Sequence, residues 1–259
     1  MNLEQAMQDF IQRTPLAMLG VITAVGFAGI YFGLGGLGWL MARRVLPRWG
    51  VGRVIDERPL RPGQVREEVR WSLVSIAIFG GYGALTLWLG TRGFATLRWE
   101  LTAGGLLRDL VVLAIWNEVH FYVCHRLLHT RWLFRHVHSV HHRSRVPTPF
   151  STYAFHPVEA TLLGSVMVLL QLFYDVSIYG AIFYPLVSLT MNTLGHLNYS
   201  VLPGHWWSAP LRASEHHGLH HRKVQGNYGF QLPVLDQVLG TELSASGPAP
   251  AAAEPARPA

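Results

Sequence analysis

The sequence has little cysteine, little lysine and little charge. Its single cysteine, Cys124, excludes an intramolecular disulfide and any metal site built from several thiolates. Of the 21 basic residues only Lys223 is a lysine. Charged residues make up 14% of the chain, whereas soluble domains average about 25%. The shortage of charge argues against an ordinary soluble domain.

The apolar residues, half of the 259, gather into blocks long enough to cross a bilayer as helices. We therefore predict an all-α fold, a polytopic membrane helical bundle of about four to five spans. Three spans are predicted over Leu16–Met41, over Trp71–Leu89, and from Leu106 through Trp116. The last two, near residues 158–174 and 178–194, are close to the shortest length that spans a bilayer, so a re-entrant hairpin is the alternative.

The basic residues predict the orientation of these spans. Arginines flank the apolar blocks, which argues against nucleic-acid binding although the net charge is +6. By the positive-inside rule the arginine-rich segment 42–70 is cytoplasmic, and so are residues 124–156 and 196–259. We expect an integral membrane protein with a cytoplasmic, histidine-rich helical cap. The preference for arginine over lysine favours a bacterial inner membrane.

Three regions are predicted along the chain. Residues 1–105 hold the N-terminal spans and the basic cytoplasmic linker. Residues 106–243 hold the histidines and are expected to form the functional domain. The Ala/Pro-rich residues 244–259 are expected to be a disordered tail.

The fourteen histidines are the unusual feature of the composition, and most of them lie in two stretches. Residues three or four apart on a helix share a face, so histidines at that spacing can chelate one ion or bridge to a second. Neutral imidazole suits iron, zinc, copper and nickel. Nine imidazoles exceed what one ion takes, so two ions are implied. The nine candidate ligands are His125, His129, His138, His141, His142, His196, His217, His220 and His221.

The other histidines are given less specific interpretations. His136, His205 and His216 fall outside the repeated spacing. His120 lies inside the third predicted span, where a polar core residue or a channel-lining residue is expected. His156 precedes Pro157, and whether it or His120 contacts a metal stays open.

The order HxxxH, HxxHH, a lone histidine after a hairpin, then HxxHH resembles the fatty acid hydroxylase/sterol desaturase superfamily of membrane di-iron oxygenases. The resemblance covers Asn117 to Leu243. It includes an acidic residue, Glu118, seven residues before His125, and the stretch Phe155-His156-Pro157. Asn227-Tyr228-Gly229 matches the turn after the last histidine box, and Asp236 through Thr241 matches the closing segment.

The resemblance implies a site of two non-haem iron ions held by the nine histidines, with O₂ as co-substrate. It implies hydroxylation or desaturation of an aliphatic C–H position in a membrane lipid such as an acyl chain, sterol or carotenoid. Electrons are expected from a separate donor such as cytochrome b5, ferredoxin or a reductase.

The sequence departs from the family pattern at one position. Several members place a further histidine four residues before the lone one, where this chain has Asn192. Its amide could ligate through oxygen or hold a water. Glu118 and Asp236 are expected to accept hydrogen bonds from ligand imidazoles. Together with Asn192 they are the predicted catalytic residues.

Two other classes of protein can also concentrate histidines. A histidine-rich metal transporter or storage protein without oxygenase activity would place polar ligands near the bilayer midplane, where this chain offers only Asn117 and His120. A b-type cytochrome would need histidines deep in facing helices, which the dense clusters do not provide.

Overall fold

The computed structural model of the chain describes residues 3–201 and 212–243, and most of these residues are helical. The α-helices run in this order: α1 Leu3–Arg13, α2 Leu16–Leu40, α3 Leu46–Arg48, α4 Gln64–Thr91, α5 Ala103–Leu128, α6 Arg131–His136, α7 Pro157–Gly164, α8 Val166–Leu170, α9 Ile178–Gly195, α10 Ala213–Lys223 and α11 Val234–Val238. A π-helical turn covers Met41–Val45, and 3₁₀ turns cover His138–Arg143 and Pro149–Tyr153. The strands are β1 Arg53–Val54, β2 Leu97–Arg98, β3 Val176–Ser177 and β4 Tyr199–Ser200.

Helices α2 and α4 carry the first two predicted spans. Within the described part of the chain, they are the two helices long and apolar enough to cross a membrane, with α2 continuing through the π turn to Arg48. The two helices pack closely because small residues meet at their crossing. A Cβ atom at Gly80 would lie 2.6 Å from Cβ of Ala24 and 2.8 Å from the carbonyl oxygen of Gly20. The full number of four to five spans stays a prediction.

The remaining predicted spans also fold as helices, but with different lengths. Helix α5 continues for 26 residues and carries the chain from the third predicted span into the first histidine box. The predicted segment 158–174 is divided at Ser165 into the short helices α7 and α8, and α9 returns from it over 18 residues.

Short strands tie segments that are distant in sequence. Strand β1 pairs antiparallel with β4 and β2 pairs parallel with β3. Next to β1, the backbone N–H of Asp56 donates to the side chain of Asn198 (2.9 Å), whose amide donates back to the Asp56 carbonyl (2.8 Å). Gly52 approaches β4 so closely that a Cβ atom there would lie 2.2 Å from the Ser200 carbonyl oxygen. The segment after α3 is thus fastened to the chain just after His196.

The opposite end of α5 is held by a buried carboxylate. Asp109 is fully buried and accepts hydrogen bonds from Arg98 (2.6 and 2.8 Å), the Tyr174 hydroxyl (2.7 Å) and the backbone N–H of Ser177 (2.9 Å). One side chain therefore joins α5 to β2 and β3. The predicted tail, residues 244–259, lies outside the described residues, as does His205.

Candidate metal centre

The nine histidines predicted as ligands come together in the folded chain as two groups. Within each group, one ring nitrogen per residue lies within 4.8 Å of those of the others. The first group is His125, His129, His138, His142 and His220, and the second is His141, His196, His217 and His221. The groups adjoin, since rings from the two groups contact each other across the centre. Each group is large enough to bind one metal ion.

The two HxxHH boxes divide between the groups in opposite ways. In the first box the outer pair, His138 and His142, joins the first group, and His141 joins the second. In the second box the outer pair, His217 and His221, joins the second group, and His220 joins the first. Adjacent residues on a helix do not face each other, and the adjacent pairs His141–His142 and His220–His221 are each split between the two groups. Each box thus places two imidazoles in one group and one in the other.

Hydrogen bonds to Nδ1 orient four of the rings. The Nδ1 atoms of His125, His196 and His220 lie 2.9, 2.8 and 2.7 Å from the carbonyl oxygens of Tyr228, Asn192 and Gly226. The fourth, Nδ1 of His138, lies 2.8 Å from a carboxylate oxygen of Glu159. When Nδ1 carries the proton and donates it, Nε2 keeps its lone pair for a metal ion.

The nitrogen atoms that face the centre fit a cation. Nε2 of His125, His129 and His138 is buried without a hydrogen-bond partner. In the second group, Nε2 of His217 lies 3.1 Å from Nε2 of His196 and 3.0 Å from Nε2 of His221. Converging lone pairs in a buried space are unfavourable unless a positive ion receives them. An all-nitrogen donor set suits a transition metal rather than magnesium or calcium.

Acidification is expected to destabilise the protein. Burial, reinforced by the neighbouring imidazoles, lowers the pKa of His141, His142, His217 and His221 well below the ordinary value of 6.5. The unfolded chain therefore binds protons below about pH 6.5 that the folded chain excludes, so stability falls as the pH drops below that value. Bound metal acts in the same direction, because its ligands must be deprotonated.

We expect the unfolding temperature of the detergent-purified protein to fall steeply from pH 7 to about pH 5, and metal to be released with it. Tryptophan fluorescence on heating and metal analysis after desalting measure the two effects. An unfolding temperature that stays constant over this range would show that the buried imidazoles do not control stability.

Glu159, which sequence analysis did not single out, is part of the centre. It lies on α7, is 1% exposed, and holds Nδ1 of His138 through one carboxylate oxygen, while its other oxygen has no partner. A signal for it exists in the sequence, because Glu159 is the one charged residue between His156 and Asp175. An ionisable residue inside an apolar segment is a functional hypothesis by default.

Glu118 and Asp236, the acidic residues expected at the catalytic site, accept hydrogen bonds from a backbone turn and not from ligand imidazoles. Glu118 accepts hydrogen bonds from the amides of Phe230 and Gln231, at 2.9 and 3.2 Å. Asp236 accepts from the amides of Tyr228 (2.7 Å) and Gly229 (2.8 Å). The imidazole of His125 is instead held by the carbonyl of Tyr228. The two carboxylates therefore fix the turn that supplies this acceptor.

Asp236 also contacts a histidine outside the two groups, Nε2 of His216, at 3.1 Å. Burial opposes ionisation of Asp236, but hydrogen bonds from His216, Thr241 and the turn outweigh it and hold the pKa of the carboxyl below its usual value. The predicted catalytic roles of Glu118 and Asp236 stay predictions.

The other histidines that the structure describes belong to neither group. His120 is buried near Ser165 (3.2 Å) and lines a cavity, in agreement with the polar or lining role expected of it. His156 accepts from the amide of Val158 and begins α7. His136 is exposed and lies beside the Trp132 carbonyl oxygen (2.9 Å).

A cavity of about 320 Å³ lies between the long helices, and several of its lining residues contact the metal centre. Three of its lining residues contact histidines of the two groups. The ring of Phe121 lies 4.9 Å from that of His125, and the ring of Phe155 lies 5.0 Å from that of His141. Asn192 is the third, and its carbonyl holds His196. The other lining residues are mostly apolar, so the cavity is suited to a hydrocarbon.

The fold combines long apolar helices suited to a membrane with two adjoining histidine groups. These features define a class of membrane-associated metalloprotein. Comparison with known proteins identifies the family. The profile of the fatty acid hydroxylase family matches residues 110–241, and the chain belongs to this family of oxidoreductases. The resemblance based on the histidine boxes is therefore confirmed.

Curated relatives show the same family. A Delta(7)-sterol 5(6)-desaturase from Gibberella zeae is 28% identical over 188 residues, covering 69% of this chain and 56% of the relative. A Delta(7)-sterol 5(6)-desaturase from Aspergillus fumigatus is 27% identical, covering 90% and 78%. A very-long-chain aldehyde decarbonylase from Oryza sativa is 31% identical, covering 52% of this chain and 23% of the relative. The chain thus spans about half of the first relative and less of the third. No solved structure gives a significant match.

Proposed function

We propose that this protein is a membrane-bound, non-haem di-iron oxygenase that hydroxylates or desaturates an aliphatic C–H position of a lipid. The observation that supports it most directly is the junction of two histidine groups with an apolar cavity. The relatives named as sterol desaturases and aldehyde decarbonylases point to lipid chemistry in general.

The bound irons would supply the chemistry that no side chain can, the activation of O₂ for cleavage of a C–H bond that has no acidic proton. Hydroxylation inserts one oxygen atom and releases water, consuming two electrons and two protons for each O₂. Desaturation removes two hydrogens and releases two waters, and it also needs two electrons and two protons. Both reactions therefore require an external electron donor, for which we propose a separate protein such as cytochrome b5, ferredoxin or a reductase.

The protein's own residues position the substrate and exclude water. Phe121 and Phe155 lie between the cavity and the histidines, so a hydrocarbon in the cavity meets the centre beside aromatic rings. Burial of His138, His196 and His220 keeps water from the nitrogen atoms. We propose that the lipid enters from the bilayer between the helices that line the cavity.

We also propose the predicted membrane arrangement for this chain, with the site facing the cytoplasm of a bacterial cell. The exposed side chains of α5 favour an additional span at this helix. They recur every four residues and form one apolar stripe: Ile115, Val119, Val123 and Leu127. Residues 106–243 would form the catalytic domain and residues 1–105 the membrane anchor and basic linker. The convergence of the nine histidines at one site favours this function over a metal transporter, which distributes ligands along a path.

A comparison of lipids from cells with and without the gene tests the activity. We expect one lipid to gain 16 mass units in the presence of the gene if the reaction is hydroxylation, or to lose 2 if it is desaturation. The matched control expresses His220→Ala, which removes one imidazole of the first group. An unchanged lipid profile, in cells where the protein carries its metal and an electron donor is supplied, would contradict an oxygenase.

The variants Asn192→Ala and His196→Ala are expected to differ in the number of metal ions that they retain. Asn192 lines the cavity and lies one helical turn before His196 in α9. We expect Asn192→Ala to lower turnover while both metals are retained, because its amide would hold a water or an exchangeable ligand position. His196→Ala should lose about one metal ion, because it removes one of four imidazoles.

Turnover per bound iron, measured beside iron content, separates the two effects. If Asn192→Ala lowers the unfolding temperature but leaves turnover per iron unchanged, the amide only stabilises the helix, and the proposed role at the metal is wrong.

A further inference from the structure

Five tyrosines are buried in the described part of the chain, and they fall into two sets. The hydroxyls of the three that do not line the cavity are satisfied. Tyr31 donates to the Phe150 carbonyl (2.8 Å), Tyr199 donates to the Val51 carbonyl (2.7 Å), and Tyr122 lies 2.9 Å from the Thr241 hydroxyl. The other two, Tyr153 and Tyr184, line the cavity beside the metal centre.

The hydroxyls of these two lack hydrogen-bond partners. Tyr184 is 6% exposed, and its hydroxyl is buried without a hydrogen-bond partner, although Ser188 on the next turn interacts with it. Tyr153 is 7% exposed, and its hydroxyl makes no hydrogen bond to any described residue. The 3₁₀ turn that ends at Tyr153 packs against α9, which carries Tyr184, and both side chains line the same cavity. A buried hydroxyl without a partner is unfavourable, so the Tyr184 hydroxyl requires an explanation.

The position of the pair suits one end of a bound lipid. The ring of Tyr153 lies 6.3 Å from that of Phe155, which in turn lies 5.0 Å from that of His141. The Tyr153 ring is therefore no more than about 11 Å from the ring of a candidate metal ligand. Tyr184 lies 12 residues before His196, the residue that caps α9, which corresponds to a helical rise of about 18 Å. A hydrocarbon segment or a fused ring is therefore long enough to extend from the hydroxyls toward the histidines.

The chemistry of the cavity limits what the hydroxyls can bind. No aspartate, glutamate, lysine or arginine of the described residues lines it, so a charged head group would be buried there without a counter-ion. An alcohol or carbonyl oxygen needs only a neutral hydrogen-bond donor, which a tyrosine hydroxyl supplies. We propose that Tyr153 and Tyr184 bind an uncharged oxygen of the substrate, so that the enzyme selects lipids bearing an alcohol or carbonyl group; this rests on the proposed function.

The test compares matched lipids that differ only by a hydroxyl: cholestanol with cholestane, and hexadecanol with hexadecane. Their binding is measured on the full-length, metal-loaded protein in detergent, without O₂ or reductant. We expect at least one alcohol to bind about fivefold to tenfold more tightly than its hydrocarbon, the factor that one neutral hydrogen bond provides. Tyr184→Phe should abolish this preference while it changes hydrocarbon binding less than about twofold.

Tyr179→Phe is the control, because it removes a half-buried hydroxyl from the same helix away from the cavity lining. It should leave the preference intact. If Tyr184→Phe does not fold, Tyr153→Phe serves the same purpose. Equal binding of alcohol and hydrocarbon by the unmodified protein, or an alcohol preference that persists in the folded Tyr→Phe variant, would overturn the proposal.

The same data separate this inference from the proposed function. Binding is read without turnover, so an alcohol preference that depends on Tyr184 supports the subsite even if no oxidised product forms. Oxidised product formed by a protein with no such preference would overturn the subsite and leave the oxygenase intact.

Discussion

Protein purified from iron-replete cells should contain about two iron ions per chain, and His220→Ala should abolish turnover and lose about one of them. His220 is fully buried, its Nδ1 is held by the Gly226 carbonyl, and its Nε2 lies 3.1 Å from that of His142. Removing it deletes one of five imidazoles from the first group and leaves the second group complete. Iron is counted by elemental analysis, and turnover is expressed per folded chain.

His136→Ala is the matched control, because His136 is exposed and belongs to neither group. It should retain both metals and most of the activity. Zinc can replace iron on overexpression, so all divalent metals are counted together. A total near one in the unmodified protein, or full activity in His220→Ala, would contradict the two-ion centre.

Glu159→Ala should weaken metal binding about tenfold to a hundredfold, the usual effect of removing a carboxylate that supports a metal-ligating histidine. The carboxylate fixes the Nδ1–H tautomer of His138, and without it the ring is free to turn or to exchange tautomers. Competition against a chelator of known affinity measures the loss in the first group. Turnover should fall with metal occupancy.

Glu159→Gln tests whether a hydrogen bond or the charge matters. A glutamine oxygen can still accept from Nδ1, so ring orientation should be retained while the added basicity of the imidazole is lost. We expect an intermediate affinity for this variant. If Glu159→Gln and Glu159→Ala bind metal as tightly as the unmodified protein, the carboxylate has only a packing role.

Eight of the nine histidines were predictable because their pattern depends on local geometry, whereas the lone His196 has no such spacing and its assignment depended on the resemblance to the family. Spacings of three and four residues place imidazoles on a common face whatever the rest of the chain does. The two apolar helices α2 and α4 were predictable for a similar reason, since length and hydropathy are local properties.

Features that depend on tertiary contacts were not predictable. Which imidazole of each HxxHH box enters which group depends on the relative rotation of α10 and the 3₁₀ turn, which no local spacing encodes. The partners of Glu118 and Asp236 differ from the expected imidazoles because both carboxylates lie closer to the turn after α10. Tyr153 and Tyr184 stand out only once the hydrogen bonds of the other buried tyrosines are known.

The divided boxes have a consequence for biosynthesis. Each ion would cross-link segments about 80 to 95 residues apart, since His220 joins the group of His125 and His141 joins that of His221. Closing such long loops removes conformational entropy from the unfolded chain, so each bound ion acts as a cross-link that stabilises the fold. The second cross-link cannot close before α10 leaves the ribosome, because two of its four histidines, His217 and His221, lie on that helix. Termination before α10 would therefore yield a chain in which the first group lacks one histidine and the second lacks two.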